Sequence, residues 1–170
     1  NKIKSNKNIM VVGLSFGGAA LLKASQDVRM QKPKPKSILT YGTYYSMDSA
    51  LNFFISHKIT YKNKQYIIKP HEWGIIVMFY NFFDVIDTNF NKSKIKMILK
   101  ARINDQYDLV DEEILNLSRK EQAFVNNIIK GNMTDEISNM AREMIDKNRE
   151  YLSDLSPKNW ATTINDKVFV

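Results

Sequence analysis

The apolar positions of this chain change character after Gly42, from short β-branched runs to a helical period. Ile9 to Val12 is a continuous apolar run of the kind that forms a buried strand. Gly13 to Gly17 predicts a sharp turn, and the small, apolar stretch Gly18 to Ser25 (GAALLKAS) predicts a helix. Lys32-Pro33-Lys34-Pro35-Lys36 fits neither a helix interior nor a central strand, so it predicts an exposed, extended loop. Its charges read first as a solvated spacer and second as an anion site. Ser37 to Thr43 (SILTYGT) predicts another short strand, ended by Gly42. Strand, helix, loop and strand make one βαβ unit, which implies neighbouring parallel strands and a right-handed crossover.

Beyond Gly42 the pattern is mainly helical. Ser46 to Phe54 begins a helix with Ser46 or Asp48 as N-cap. Ile59 to Ile68 resembles a small hairpin around Asn63, and Pro70 stands where a helix can start. Trp73 to Ile86 is densely apolar and aromatic, and Ser93 to Arg102 is a short amphipathic helix. Ser118 and Glu121 form a capping box for a helix that closes at Gly131. Ile137, Met140, Met144, Ile145, Tyr151 and Leu152 lie at helical spacing in one helix from Thr134 to Leu152, with Pro157 beyond it. Val168 to Val170 reads as the start of another buried strand. The expected fold class is therefore α/β, in three segments: a parallel-strand segment 1–46, a mostly helical insertion 47–155, and a return to the sheet at 156–170. A parallel sheet needs more strands than these, covered on both faces, so the chain reads as part of something larger.

Composition narrows the chemistry. Hydrophobic residues make up 44% of the 170, which excludes a disordered chain and supplies a sizeable core. No Cys is present, so disulfides, thiolate metal sites and a Cys nucleophile are excluded; with only His57 and His71, a multi-His metal site is not expected. The formal net charge is +7, but Lys and Glu are interleaved along the helices. That argues for a Lys-rich surface over a nucleic-acid-binding face. The longest apolar run, Ile9 to Leu22, is shorter than the ~20 residues of a membrane helix. After a basic start it can also be read as a secretory signal peptide, against which stand Gly13, Ser15, Gly17 and Gly18 in its middle. The lack of Cys fits the cytoplasm and leaves export open.

Gly13-Leu14-Ser15-Phe16-Gly17 is a G-x-S-x-G between a predicted strand and a predicted helix. A nucleophile on so tight a turn has strained backbone angles, and its neighbours at minus two and plus two pass close to other chain, so both must be small. The turn lifts the Ser15 hydroxyl off the sheet to a helix N-terminus, where the dipole and free N–H groups favour negative charge. The Phe16 N–H would be one oxyanion donor. The plain alternative makes Ser15 an ordinary turn residue. Nucleotide-binding patterns, G-x-G-x-x-G and G-x-x-x-x-G-K-[ST], are lacking.

On residues 9–25 (IMVVGLSFGGAALLKAS), 37–54 (SILTYGTYYSMDSALNFF) and 155–170 (LSPKNWATTINDKVFV) the chain resembles the α/β-hydrolase family, closest to its esterase and dienelactone-hydrolase-like branches. The resemblance implies a partial hydrolase core with a nucleophile elbow and a helical cap. It implies a serine hydrolase that cleaves a carboxylic ester, less readily an amide, through an acyl-enzyme on Ser15. It implies a small ester or acyl substrate, no cofactor, no metal and no nucleic acid. In the family's order of Ser, acid and His, the Asp and His loops would follow Val170, and the strands before the nucleophile are not in this chain. The segment alone is then expected to be nearly inactive. His57, His71 and Asp48 are the internal candidates for base and acid, with structural roles as the default. Trp73, Phe79, Phe82 and Phe83 read either as cap core or as lining of an apolar acyl pocket, with membrane contact a minor variant. A non-catalytic hydrolase-like binding or scaffold protein is the competing class.

Overall fold

A computed structural model describes residues 9–31, 34–161 and 168–169. Lys32 and Pro33 of the expected loop, and Val170 of the expected last strand, lie outside them. The first elements in chain order are β1 (Met10–Leu14), α1 (Phe16–Ala24), β2 (Ser37–Tyr41), α2 (Met47–Ser56), β3 (Lys58–Tyr61) and β4 (Lys64–Ile67). Helices α3 (Trp73–Phe82), α4 (Lys92–Ile103), α5 (Tyr107–Leu115), α6 (Arg119–Ile129), α7 (Asp135–Lys147) and α8 (Arg149–Leu155) follow, then β5 (Val168–Phe169). The fold is mixed α/β and mostly helical. The chain divides into two compact units, Asn1–Ala50 with Glu150–Val170, and Leu51–Arg149.

The first unit holds a parallel sheet in the order β1-β2-β5. Met10 pairs with Ser37 and the register runs to Leu14 opposite Tyr41; Ile38 and Leu39 pair with Val168 and Phe169. Side chains alternate between faces along each strand. Gly13, Ile38 and Thr40 are buried, and α1 packs on β1 and β2 through Gly18, Ala19 and Leu22. The alternate positions Met10, Val12, Leu14 and Tyr41 are exposed. The chain after α8 is tied to the start of α2. Fully buried Ser156 accepts from the Met47 N–H at 2.9 Å and donates to the Leu152 carbonyl at 2.9 Å. The Lys158 N–H donates to the Tyr45 carbonyl at 2.9 Å. The Ser46 hydroxyl accepts from the Ser49 N–H at 3.4 Å, which caps α2.

The second unit is built on α3, whose sequence WGIIVMFYNF is apolar nearly all round and therefore central. A Cβ at Gly74 would run into the ring of Phe54. The ring centroids of Phe79, Phe83 and Phe124 lie 5.6–5.8 Å from one another, and that of Phe90 lies 4.9 Å from Phe124. Ile95, Ile98 and Leu99 of α4, Val125 and Ile128 of α6, and Ile137, Ala141 and Met144 of α7 fill the same core. The hairpin β3–β4 turns at Lys62 and Asn63, both with positive φ as a two-residue type I′ turn demands.

Three boundaries differ from the pattern. Helix α3 starts at Trp73 and not at Pro70, with Glu72 as N-cap. Helix α5 was not predicted; it buries only Val110 and Ile114, one turn apart, too few for a periodic signal. The predicted helix 134–152 is two helices broken at Asn148, the C-cap of α7, whose backbone N–H and side-chain amide both donate to the Met144 carbonyl, at 3.2 and 2.8 Å.

Glu121 joins two helix starts. One carboxylate oxygen accepts from the Asn91 N–H at 2.6 Å; the other accepts from the Ser118 N–H at 3.0 Å and hydroxyl at 2.6 Å. Asn91 caps α4 and Ser118 caps α6. The Ser118 hydroxyl, then the Asn91 amide, hold the Glu121 carboxyl below its ordinary value of 4.5. That stabilisation is complete above the ordinary value and is lost as pH falls through the lower folded value. Glu121→Gln is expected to lower stability at pH 7 by about 1 kcal/mol. Urea unfolding from pH 7 to pH 3 should show the deficit shrinking as pH falls below 4.5; a deficit independent of pH would contradict this.

A candidate active site at the turn between β1 and α1

Ser15 is the single residue between β1 and α1. Its backbone sits at φ 50° and ψ −129°, the conformation that the first central position of a type II′ turn takes and that favours Gly. A non-Gly residue there stores roughly 1–3 kcal/mol of strain. Three hydrogen bonds hold it. The Ser15 N–H donates to the Tyr41 carbonyl at 2.9 Å, which fastens the turn to the end of β2. The Ser15 carbonyl accepts from the Gly18 N–H at 3.0 Å and from the Thr43 hydroxyl at 3.0 Å. The Ser15 side chain is exposed and makes no capping hydrogen bond to α1.

Close packing permits the turn at one point. A Cβ on Gly13 would stand 2.6 Å from the Gly18 Cα and 3.0 Å from the Gly17 carbonyl oxygen. A Cβ on Gly18 would strike the Thr43 side chain. Gly17, to which the sequence pattern gives the same steric duty as Gly13, has open space where its Cβ would be. The close approach has moved one residue on, because the helix turns the Gly18 Cα, and not Gly17, toward the strand. Sequence reasoning therefore missed Gly18 and Thr43 as positioning residues. The Gly17-Gly18 pair and the Thr directly after Gly42 were the available signals.

Phe16 is the first residue of α1, where N–H groups lack intrahelical partners. Its ring lies 5.2 Å from that of Tyr44. Both His belong to the second unit. His57 is half-buried with φ 57°, and its Nε2 is buried without a hydrogen-bond partner among the described residues. His71 is exposed; its Nδ1 accepts from the Trp73 N–H at 3.2 Å and lies 3.6 Å from Glu72. Asp48 lies in the first turn of α2. Phe79 and Phe83 are fully buried in the aromatic core, so of their two readings packing describes them; Phe82 is half-buried and Trp73 is 41% exposed.

A hollow of about 620 Å³ in the second unit is lined by Thr88, Asn89, Phe90, Ser118, Lys120 and Glu121. Its charged groups are engaged: Glu121 as above, and Lys120 with Glu136 at 3.2 Å and over the Phe90 ring at 5.1 Å. Among the described residues no group of three or more His, Asp or Glu could hold a metal ion, and no helix is long and apolar enough to cross a membrane. The chain matches no protein-family model, no curated protein and no solved structure.

Alanine at the three glycines separates their roles. Gly13→Ala and Gly18→Ala are each expected to cost about 1–3 kcal/mol in urea unfolding. Gly17→Ala is expected to be neutral or stabilising by up to about 1 kcal/mol, since it replaces a helical glycine. Equal costs at Gly17 and Gly18 would contradict the packing described.

Proposed function

We propose that the turn at Ser15 is the nucleophile elbow of a serine hydrolase of the α/β-hydrolase kind, acting on carboxylic esters. The observation that carries the reading is a serine, exposed and strained at φ 50°, at a βα turn where glycine would fit at lower cost. A serine kept there places its hydroxyl at the start of a helix, over the end of a parallel sheet. Ser15 Oγ attacks the ester carbonyl carbon, and a base takes its proton. The tetrahedral oxyanion accepts from the Phe16 N–H and gains from the positive end of α1. Expulsion of the alkoxide, protonated as it leaves, gives an acyl-serine that water hydrolyses. Neither a metal nor a cofactor takes part. The base and its acid are assigned to segments following β5, in the family's order, and the helical unit is assigned the role of a cap. Residues outside the two internal His candidates therefore decide turnover.

The second reading, a hydrolase-like fold that binds without catalysis, draws on one observation: within the unit that carries Ser15 there is no His. A fluorophosphonate probe separates the two. The 170-residue chain is expected to label only in trace, because loss of the base alone costs on the order of 10⁶ in turnover in a well-studied serine protease. A form extended past Val170 is expected to label strongly, and Ser15→Ala to abolish all labelling. An extended form that stays unlabelled would favour the binding protein. Strong labelling of the 170-residue chain that depends on His57 or His71 would place the base in the helical unit instead.

A further inference from the structure

The hairpin β3–β4 is the part of the second unit that the core does not explain. Every residue from Lys58 to Lys69 is exposed, and the two strands pack chiefly on each other. Isolated two-stranded hairpins are marginal in water. The cross-strand pairs are Lys58–Ile67, Ile59–Tyr66, Thr60–Gln65 and Tyr61–Lys64. Alternation puts Ile59, Tyr61 and Tyr66 on one face, while Ile67, at 79% exposure, stands on the other. Four lysines, Lys58, Lys62, Lys64 and Lys69, fall between His57 and His71, and no acid does. The Lys62 ammonium lies 5.2 Å from the Tyr61 ring centroid. The segment is thus cationic, aromatic and aliphatic at once.

We propose that this hairpin is a docking surface for an anionic lipid bilayer. Charge selects an anionic partner, and the aliphatic residues choose between the anionic partners. A nucleic acid stacks its bases on aromatic rings and gives its phosphates to lysine, but it offers nothing to exposed Ile59, Ile67 and Ile68. A bilayer interface takes all three classes: aliphatic tips among the acyl chains, Tyr rings at headgroup level, and lysines that reach back to the anionic headgroups. The proposal does not depend on chemistry at Ser15, and it moves membrane contact from the Trp73–Phe83 helix to the hairpin.

The test is co-sedimentation of the full chain with vesicles of phosphatidylcholine, with and without phosphatidylglycerol. Binding is expected only with phosphatidylglycerol, and it should weaken as salt rises. Lys58→Gln, Lys62→Gln and Lys64→Gln together should lower the affinity about a hundredfold. Removing the same charge elsewhere, by Lys120→Gln, Lys130→Gln and Lys147→Gln, should change it far less. Ile67→Ser with Ile68→Ser should weaken binding and leave its salt dependence in place. All these positions are exposed, so circular dichroism should show an unchanged fold. An equal loss in both lysine triples would reduce the effect to overall charge and overturn the proposal. So would failure to bind the anionic vesicles, indifference to the isoleucine changes, or stronger binding to single-stranded RNA that competes with the vesicles. Association of the chain with itself through the strand edges, abolished by the same substitutions, would overturn it too.

Discussion

Gly13 and Gly18 touch backbone to backbone, and no side chain fits between them. Everything at the β1–α1 turn depends on that contact. A strand can pass into a helix through one residue only if the first turn of the helix lies almost on the end of the strand. Two residues without Cβ atoms allow it, and Thr43 then closes over Gly18 and donates to the Ser15 carbonyl. The remaining tie, from the Ser15 N–H to the Tyr41 carbonyl, extends the parallel ladder past its last pair. Ser15 is left with its backbone committed and, among the described residues, its side chain exposed and making no cap hydrogen bond. That division, a fixed main chain and an exposed hydroxyl, is the ground on which Ser15 is proposed as a nucleophile.

The parallel strands, the sharp turn and the aromatic helix were legible because each is written in residue types with few alternatives. A β-branched run bounded by glycine, a proline-broken loop and a capping box admit little else. The steric detail was not legible. G-x-S-x-G names Gly13 and Gly17, yet the contact falls on Gly18, because which helical residue faces the strand depends on the helix phase and not on spacing alone. The period of its neighbours runs through Asn148 unmarked, whereas the structure makes it the C-cap of α7, its backbone N–H and side-chain amide both donating to the Met144 carbonyl. Phe79 and Phe83 illustrate a further limit. An aromatic run has the same pattern whether it faces a pocket or a core, and only their burial against Phe124 distinguishes the two.

The second unit has its own logic. Its aromatic core and the Glu121 staple between the starts of α4 and α6 are internal to residues 51–149, and they make the unit a compact body in its own right. Glu121, Lys120 and Lys147 of this unit are engaged in caps and ion pairs. The proposed roles of Ser15 and the hairpin are independent: one rests on a strained backbone, the other on an exposed hairpin of mixed apolar and cationic character.

The central claim is that Ser15 is kept in a costly conformation for its hydroxyl. Replacing it by glycine tests this without any substrate. Glycine adopts φ 50° and ψ −129° freely, so Ser15→Gly removes roughly 1–3 kcal/mol of strain against about 0.5–1 kcal/mol of added unfolded-state entropy. Urea unfolding of Ser15→Gly beside the parent chain should show a more stable variant, by on the order of 1 kcal/mol. A variant less stable than the parent would mean that the serine side chain supports the turn, and that Ser15 is a structural residue and not a held nucleophile.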